Sequence, residues 1–216
     1  MTKKILITGA NGQLGHEMRN ALKGNNRFEC IFTDVAELDI CNAEAVKQII
    51  ADNHIDYIVN CAAYTQVDKA EDNAELCKKI NTDAVENLAR AAADYGARMI
   101  HISTDYVFNG RGYRPYTEDM VPDPQSVYGS TKLEGEKILT DICPESIIIR
   151  TAWLYSPYGN NFVKTMLHLG EEREELSVVA DQIGTPTCAA DLAQAILVIP
   201  VSYTHLRAHE TLRHLV

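Results

Sequence analysis

Three glycines, at positions 9, 12 and 15, punctuate the segment Thr8-Gly9-Ala10-Asn11-Gly12-Gln13-Leu14-Gly15. Residues 4–8 before it form a short apolar, β-rich run, and residues 13–22 after it carry helical spacing. A strand that stops at glycine and resumes as a helix commits the chain to a strand–turn–helix opening. In that setting Gly9 permits the tight turn, Gly12 lets a pyrophosphate approach the backbone, and Gly15 lets the helix pack closely on a sheet. The helix start adds free N–H groups and the positive end of a dipole. A glycine triplet alone is weak evidence, but the strand before it and the helix after it supply the required context.

The same alternation continues downstream. Strands are predicted at 28–33, 57–60, 98–103 and 146–150. Helices are predicted at 43–51, opened by Asn42 as a cap, at 74–95, stopping at Gly96, at 127–139 and at 191–199. Short apolar strands separated by helices imply βαβ units and an α/β fold, a Rossmann-type doubly wound parallel sheet. Residues 109–124, with two glycines and three prolines, read as a long functional loop beside a strand end.

Composition removes several classes. Hydrophobic residues make up 46% and charged residues 23% of 216, so the chain has the material for a sizeable core and is neither disordered nor a disulfide scaffold. Twenty basic against thirty acidic residues give a net charge of −10, which argues against a nucleic-acid or anionic-membrane partner. No apolar run approaches the roughly 18–20 residues of a membrane span. The basic start runs into the glycine loop after too short an apolar stretch for a signal peptide, so a cytoplasmic protein is expected. Its six cysteines are scattered without a CxxC pair and are expected to be free thiols.

Asp34, ending the second strand, is placed to hydrogen-bond the adenosine ribose and to repel a 2′-phosphate, which leans toward NADH; a solvated loop acid is nearly as good a reading. Asp39-Ile40 lies where it can flank the adenine. Tyr128-Gly129-Ser130-Thr131-Lys132 is a Tyr-x-x-x-Lys on a predicted helix, so both side chains share one face. A phenol near its ordinary pKa of about 10 is a poor acid–base catalyst, and a neighbouring ammonium is expected to lower that value. His101-Ile102-Ser103-Thr104-Asp105-Tyr106 ends the fourth strand, at the sheet edge where open α/β sheets bind ligands. A Thr104 hydroxyl there can bond the carbonyl oxygen that Tyr128 protonates.

Glycine loop, Ser-Thr strand end and Tyr-x-x-x-Lys occur in the order that resembles an extended short-chain dehydrogenase/reductase. Four further segments narrow the match: Asn60-Cys61-Ala62-Ala63-Tyr64-Thr65-Gln66-Val67-Asp68, Ser103-Thr104-Asp105-Tyr106-Val107-Phe108, Arg150-Thr151-Ala152-Trp153-Leu154-Tyr155 and Asp181-Gln182-Ile183-Gly184-Thr185-Pro186-Thr187. Within that superfamily the chain resembles the dTDP-4-dehydrorhamnose reductases over residues 3 to about 199.

That resemblance implies Thr104, Tyr128 and Lys132 as the catalytic trio. It implies that Gly9, Gly12, Gln13, Leu14, Asp34, Asp39, Ile40, Ala62, Ala63 and Tyr64 line NADPH or NADH, together with Tyr128 and Lys132. Thr65, Val67, Asp105, Tyr106 and Trp153 would contact a nucleotide-sugar substrate beside Thr104 and Tyr128. The implied reaction is hydride delivery to C4 of a 4-keto-6-deoxy sugar, protonated by Tyr128, with Lys132 acidifying the phenol and holding the nicotinamide ribose. Trp153 is equally well read as a core residue. Members of the family continue well beyond this length, so residues 1–150 are expected to form the dinucleotide-binding domain and 151–199 an incomplete substrate-binding part. Family members pair as homodimers around a magnesium ion; no matching acidic set is found, so no metal is expected. Residues 200–216, with His205, His209 and His214, resemble adapter read-through peptide and are expected to be foreign to the native chain.

Two other functions fit the same motifs. A nucleotide-sugar epimerase retains NAD, whereas a reductase consumes added NAD(P)H. A non-catalytic module like the regulatory subunit of methionine adenosyltransferase shares the fold without turnover. Dehydratases place an Asp-Glu pair after the threonine; here Asp105 is followed by Tyr106.

Overall fold

The computed structural model describes residues 2–202; of the predicted foreign tail, residues 203–216 with its three histidines lie outside the described residues. Strands β1 (Lys3–Thr8), β2 (Phe28–Thr33), β3 (Tyr57–Asn60), β4 (Arg98–Thr104) and β5 (Ile147–Thr151) form one sheet. Its order is β2-β1-β3-β4-β5, and every neighbouring pair is parallel. The chain leaves β1 in one direction and later crosses back to β3, so the topological switch lies between the carboxyl ends of β1 and β3. This doubly wound order directs a ligand to the crevice above that switch.

Both faces of the sheet are covered. Helix α1 (Gln13–Ala21) and α8 (Ala189–Ser202) pack on one face. There Ile5, Ile7, Val59 and Ile100 meet Leu14, Met18, Ala193 and Ile196. Helices α2 (Ala43–Asn53), α5 (Ala84–Tyr95) and α6 (Val127–Ile142) cover the other, where Leu6, Ile58 and Met99 meet Val46, Ile50, Leu88 and Ala92. Hence Ile5, Leu6 and Ile7 are all fully buried, and β1 reads as a continuous apolar run instead of an alternating one. Asn42 caps α2 by accepting from the Ala45 amide, and Gly96 ends α5 in the left-handed region at φ 70°.

Residues 74–95, expected as one uninterrupted helix, contain a π turn. Helix α4 (Ala74–Lys78) passes through a wide turn, Lys79–Asp83, into α5. Helix α3 (Val67–Asp72), α7 (Phe162–Glu172) and the two-stranded parallel pair β6 (Leu154–Tyr155) and β7 (Thr187–Cys188) were not foreseen in the sequence. Helix α7 has no buried residue, which leaves its apolar positions without the packing signal that marks the other helices. No helix among the described residues is long and apolar enough to cross a membrane.

Candidate active site

The glycine loop sits at the switch point. Gly9 has φ +62°, and a Cβ there would stand 2.7 Å from the Ala62 amide nitrogen, so β1 and the end of β3 approach too closely for any side chain. A Cβ on Gly15 would meet the Gly9 carbonyl oxygen at 2.5 Å, which is the close helix–sheet approach the triplet implies. Gly12, by contrast, is exposed. As the residue capping α1 it brings no side chain to the helix's first N–H groups. Those donors fit a pyrophosphate, which is what a nicotinamide dinucleotide would present here. Leu14 is buried beneath the loop, and the Gln13 carboxamide oxygen accepts from Asn161 at 2.9 Å.

Asp34 lies beside this loop. One carboxylate oxygen accepts from the Asn11 amide and the other from the Val35 amide, both at 2.9 Å. Its charge therefore stands at the loop mouth. Asp39 is exposed and accepts from the Cys41 amide in a local turn. The Ile40 side chain is only 7% exposed and belongs to the core, and its carbonyl accepts from Asn87. Its side chain is turned inward, so it is the backbone at Asp39-Ile40 that is left to flank an adenine.

Across the switch, Asn60, Ala62 and Tyr64 follow β3. The backbone of Tyr64 is held by Asn81, whose side chain accepts from the Tyr64 amide (2.9 Å) and donates to its carbonyl (3.1 Å). Asn81 stands in the π turn and is buried; the same turn places the Thr82 hydroxyl on the Thr131 carbonyl at 2.9 Å. A π turn at a functional site is a recurrent device, and a polar residue within an alanine-rich helix is the signal that marks it. Ala63 is half-buried and Thr65 exposed, while Val67 and Tyr64 pack against Tyr128.

The carboxyl end of β4 supplies Thr104 and Asp105; α6 supplies Tyr128 and Lys132. Ser126 caps α6 by accepting from the Gly129 amide, which fixes Tyr128 in the first turn. Tyr128 and Lys132 share the inward face, 8% and 1% exposed. The Thr104 hydroxyl lies near enough to the Tyr128 phenol to favour its ionised form. Thr104 Oγ1 also lies 3.1 Å from an Asp105 carboxylate oxygen. Tyr106 meets the Tyr128 ring edge-on at 5.5 Å. Burial raises the Asp105 carboxyl above its ordinary range.

Lys132 does not act on the phenol as the spacing implies. Its Nζ donates to the Ile102 carbonyl at 2.7 Å and lies 3.1 Å from His101 Nε2. The Tyr128 phenol is pushed up to about 12, chiefly by burial; the neighbouring Thr104 hydroxyl is what opposes that rise. Lys132 itself is brought down to about 8 by burial, with Glu136, Cys77 and Cys61 pulling the other way. The expectation that an ammonium here acidifies the phenol is corrected for the unliganded chain, because the amine is engaged with β4. Behind Lys132, His101 Nδ1 meets Asn60 Nδ2 at 3.1 Å, and Asn60 Oδ1 accepts from the Thr8 hydroxyl at 2.7 Å. All four residues are buried. Sequence reading passed over Thr8, Asn60 and His101 because polar residues inside strands carry no periodic signal.

Trp153 is 39% exposed and has φ 47°, a left-handed conformation that a bulky residue rarely adopts. It is no core residue. The Thr187 amide donates to its carbonyl, and its ring lies so near Gly184 that a Cβ there would stand 2.9 Å away. A surface cavity lined by Phe108, Asn109, Tyr113, Arg114, Tyr116 and Val121 lies in the 109–124 loop and includes none of the trio. Among the described residues there is no cluster of three metal-ligating side chains.

The family model described as RmlD substrate binding domain matches residues 3–216. The dTDP-4-dehydrorhamnose reductase of Aggregatibacter actinomycetemcomitans is 45% identical over 196 residues, which is 91% of this chain and 67% of that protein. A crystal structure of a dTDP-4-dehydrorhamnose reductase from Clostridium acetobutylicum superposes with a TM-score of 0.90 at 50% identity, covering 94% of this chain and 72% of that one. The enzyme from Bacillus anthracis, solved in complex with NADP, gives a TM-score of 0.88 at 44% identity over 92% and 71% of the two chains. The chain spans about two thirds of the length of the curated relatives it matches, 64–67% in the most similar ones.

Proposed function

This chain belongs to the RmlD substrate binding domain family, and from that premise we propose that it reduces the 4-keto group of dTDP-4-dehydro-L-rhamnose to give dTDP-L-rhamnose, with NADPH or NADH as reductant. The observation that carries this reading is the convergence of Thr104, at the carboxyl edge of β4, with the buried Tyr128 phenol, with buried Lys132 one helical turn on. Residues 1–150 would hold the dinucleotide, with the open start of α1 receiving the pyrophosphate and Tyr64, Tyr128 and Lys132 its nicotinamide half. Residues 151–199 would contribute to the sugar site through Trp153.

When bound, the reduced nicotinamide supplies hydride. The chain's own residues manage the proton and the charge. Tyr128, held as the neutral phenol, donates its proton to the substrate oxygen as negative charge develops there. Thr104 donates to the same oxygen and stabilises that charge. Its single proton is drawn away by Asp105 in the unliganded chain, so substrate must recruit it. Lys132 holds the ribose hydroxyls. Asp105, Tyr106, Thr65 and Val67 would line the sugar. Asp34 stands where it repels a 2′-phosphate, whereas the relative from Bacillus anthracis binds NADP; both cofactors therefore enter the assay. A cytoplasmic location and a homodimer belong to the same reading, the former supported by six free cysteines.

Oxidation of NADPH and of NADH is followed by absorbance with dTDP-4-dehydro-L-rhamnose as acceptor. Substrate-dependent oxidation is expected, and Tyr128→Phe should abolish it while leaving cofactor binding intact. Unchanged turnover in that variant would reject the role of the phenol. A retained NAD with no net oxidation would mark an epimerase, and binding without turnover a non-catalytic module.

A further inference from the structure

The line of buried groups behind Lys132 can be satisfied in only one protonation pattern. Asn60 Oδ1 accepts from two donors, the Thr8 hydroxyl at 2.7 Å and the Ala62 amide at 3.1 Å. The backbone amide cannot accept, so this end of the carboxamide is the oxygen. Asn60 Nδ2 therefore faces His101 Nδ1 as a donor. Nδ1 must then carry a lone pair, and the single proton of the neutral imidazole sits on Nε2. Imidazolium is excluded by the same donor and by full burial next to Lys132, which hold His101 well below its ordinary range.

His101 Nε2–H thus points at Lys132 Nζ across 3.1 Å. An ammonium has no lone pair to receive it; an amine has one. With the amine, every contact is made. The lone pair accepts from His101, one N–H goes to the Ile102 carbonyl, and one N–H remains. With the ammonium, two N–H groups confront each other in a site without water access. We propose that His101 is a positioning residue that favours the neutral amine of Lys132 over its ammonium in the unliganded site, so that the pull of Lys132 on the Tyr128 proton is weakened until substrate arrives.

The surroundings agree. The charged or titratable groups that face Lys132 are Glu136 from its own helix, Cys77 from α4, Cys61 after β3 and His101 from β4. Glu136, the one carboxylate among them, already holds Arg150 through two hydrogen bonds. The Cys61 thiol is pushed up to about 12 by burial and stays neutral. The Glu136 carboxylate still pulls toward the ammonium, but burial outweighs it, and a weakened ammonium suits a site whose phenol must begin as a proton donor.

This inference rests on the roles given above to Tyr128 and Lys132, but its test does not use turnover. Heteronuclear NMR of the full chain, labelled with 15N and with 13C at lysine Cε, reads both groups directly. The Lys132 signal is assigned by its loss in Lys132→Met. His101 Nδ1 is expected to resonate as an unprotonated nitrogen and Nε2 as a protonated one across neutral pH, with Lys132 titrating near 8. Asn60→Asp replaces the donor to Nδ1 by an acceptor, moves the imidazole proton to Nδ1 and should raise the Lys132 titration by about one pH unit or more. A purely structural role for His101 would leave the Lys132 titration unmoved when the imidazole proton shifts. A protonated Nδ1 in the parent chain, or Lys132 titrating as an ordinary lysine, overturns the inference. Should Asn60→Asp fail to fold, the tautomer of the parent chain decides the matter alone.

Discussion

Glu136 and Arg150 tie α6 to β5, and removing either partner should have unequal consequences. Two hydrogen bonds join them, at 3.0 and 2.6 Å, in the paired geometry that suits a guanidinium and a carboxylate. The exposures differ: the Arg150 side chain is 26% accessible, that of Glu136 only 5%. In Glu136→Gln the guanidinium can turn toward water and keep the amide oxygen as a partner, so a loss of about 1–2 kcal/mol is expected. In Arg150→Met a buried carboxylate is left without its counter-charge, a change that costs about 3–5 kcal/mol. The packing of Arg150 over the Phe108 ring, at 5.0 Å, adds about 0.5–1 kcal/mol to that loss. With roughly 2–4 °C per kcal/mol for a chain of this size, a difference of about 1.5–5 kcal/mol means that Arg150→Met should melt on the order of 3–20 °C below Glu136→Gln at pH 7. Thermal and urea unfolding followed by circular dichroism measures both. The deficit has a further signature: it comes from a buried charge left without its partner, so acid, which neutralises carboxylates, should return part of the loss relative to the parent. Equal losses, or a gap indifferent to pH, would refute the assignment of the cost to the buried carboxylate.

Two further outcomes follow from the site. Asn81→Ala removes both partners of the Tyr64 backbone; a loss of about 1–3 kcal/mol is expected, with hydrogen exchange accelerating at Tyr64 before it does in β1, and unchanged protection at Tyr64 would show that the π turn does not hold that segment. Lys132, near 8 in the fold and 10.5 when unfolded, binds fewer protons folded than unfolded between those values, so its destabilising effect is full below pH 8 and relieved above it. Cys30 and Cys61, raised to about 11 and 12, act in the opposite sense above pH 9. Stability should therefore rise from pH 8 to 9 in the parent and stay level in Lys132→Met, as melting temperatures against pH will show.

The sheet was legible because its strands are buried on both faces. Each is a short apolar run between turn residues, and β2 and β3 begin and end where that pattern does. Helix α2 was legible for another reason, since Asn42 supplies a cap that is local chemistry. What escaped notice shares one physical cause. The π turn depends on Asn81 reaching Tyr64, a contact made across 17 positions of chain. Trp153 takes its left-handed backbone where its carbonyl accepts from the Thr187 amide, and α7, though its Phe162 ring lies 6.1 Å from that of Trp153, fully buries none of its apolar residues. The trio was readable as residue types at a spacing, yet the spacing misjudged the direction of electrostatic influence. Residues four apart on a helix share a face, but which neighbour the lysine meets is settled by β4, through His101 and Ile102.

That tertiary contact also explains an oddity of α6. The helix carries Gly129 and Gly135, and each glycine in a helix interior costs about 1 kcal/mol relative to alanine. Neither is needed for a turn. A Cβ at 129 would collide with the Tyr106 carbonyl, and one at 135 with the Asn81 carbonyl, so both sit where α6 presses against another backbone. Lys132 lies between them. Its side chain brings Nζ within 2.7 Å of a carbonyl on β4, from the stretch of α6 that these two contacts seat against the backbones of Tyr106 and Asn81. Gly129 sets the approach beside Thr104 and Tyr106; Gly135 sets it beside the π turn that holds Tyr64. The lost helix propensity is thus linked to the placement of one amine, and a substitution at either glycine acts first on the distance from Lys132 to His101.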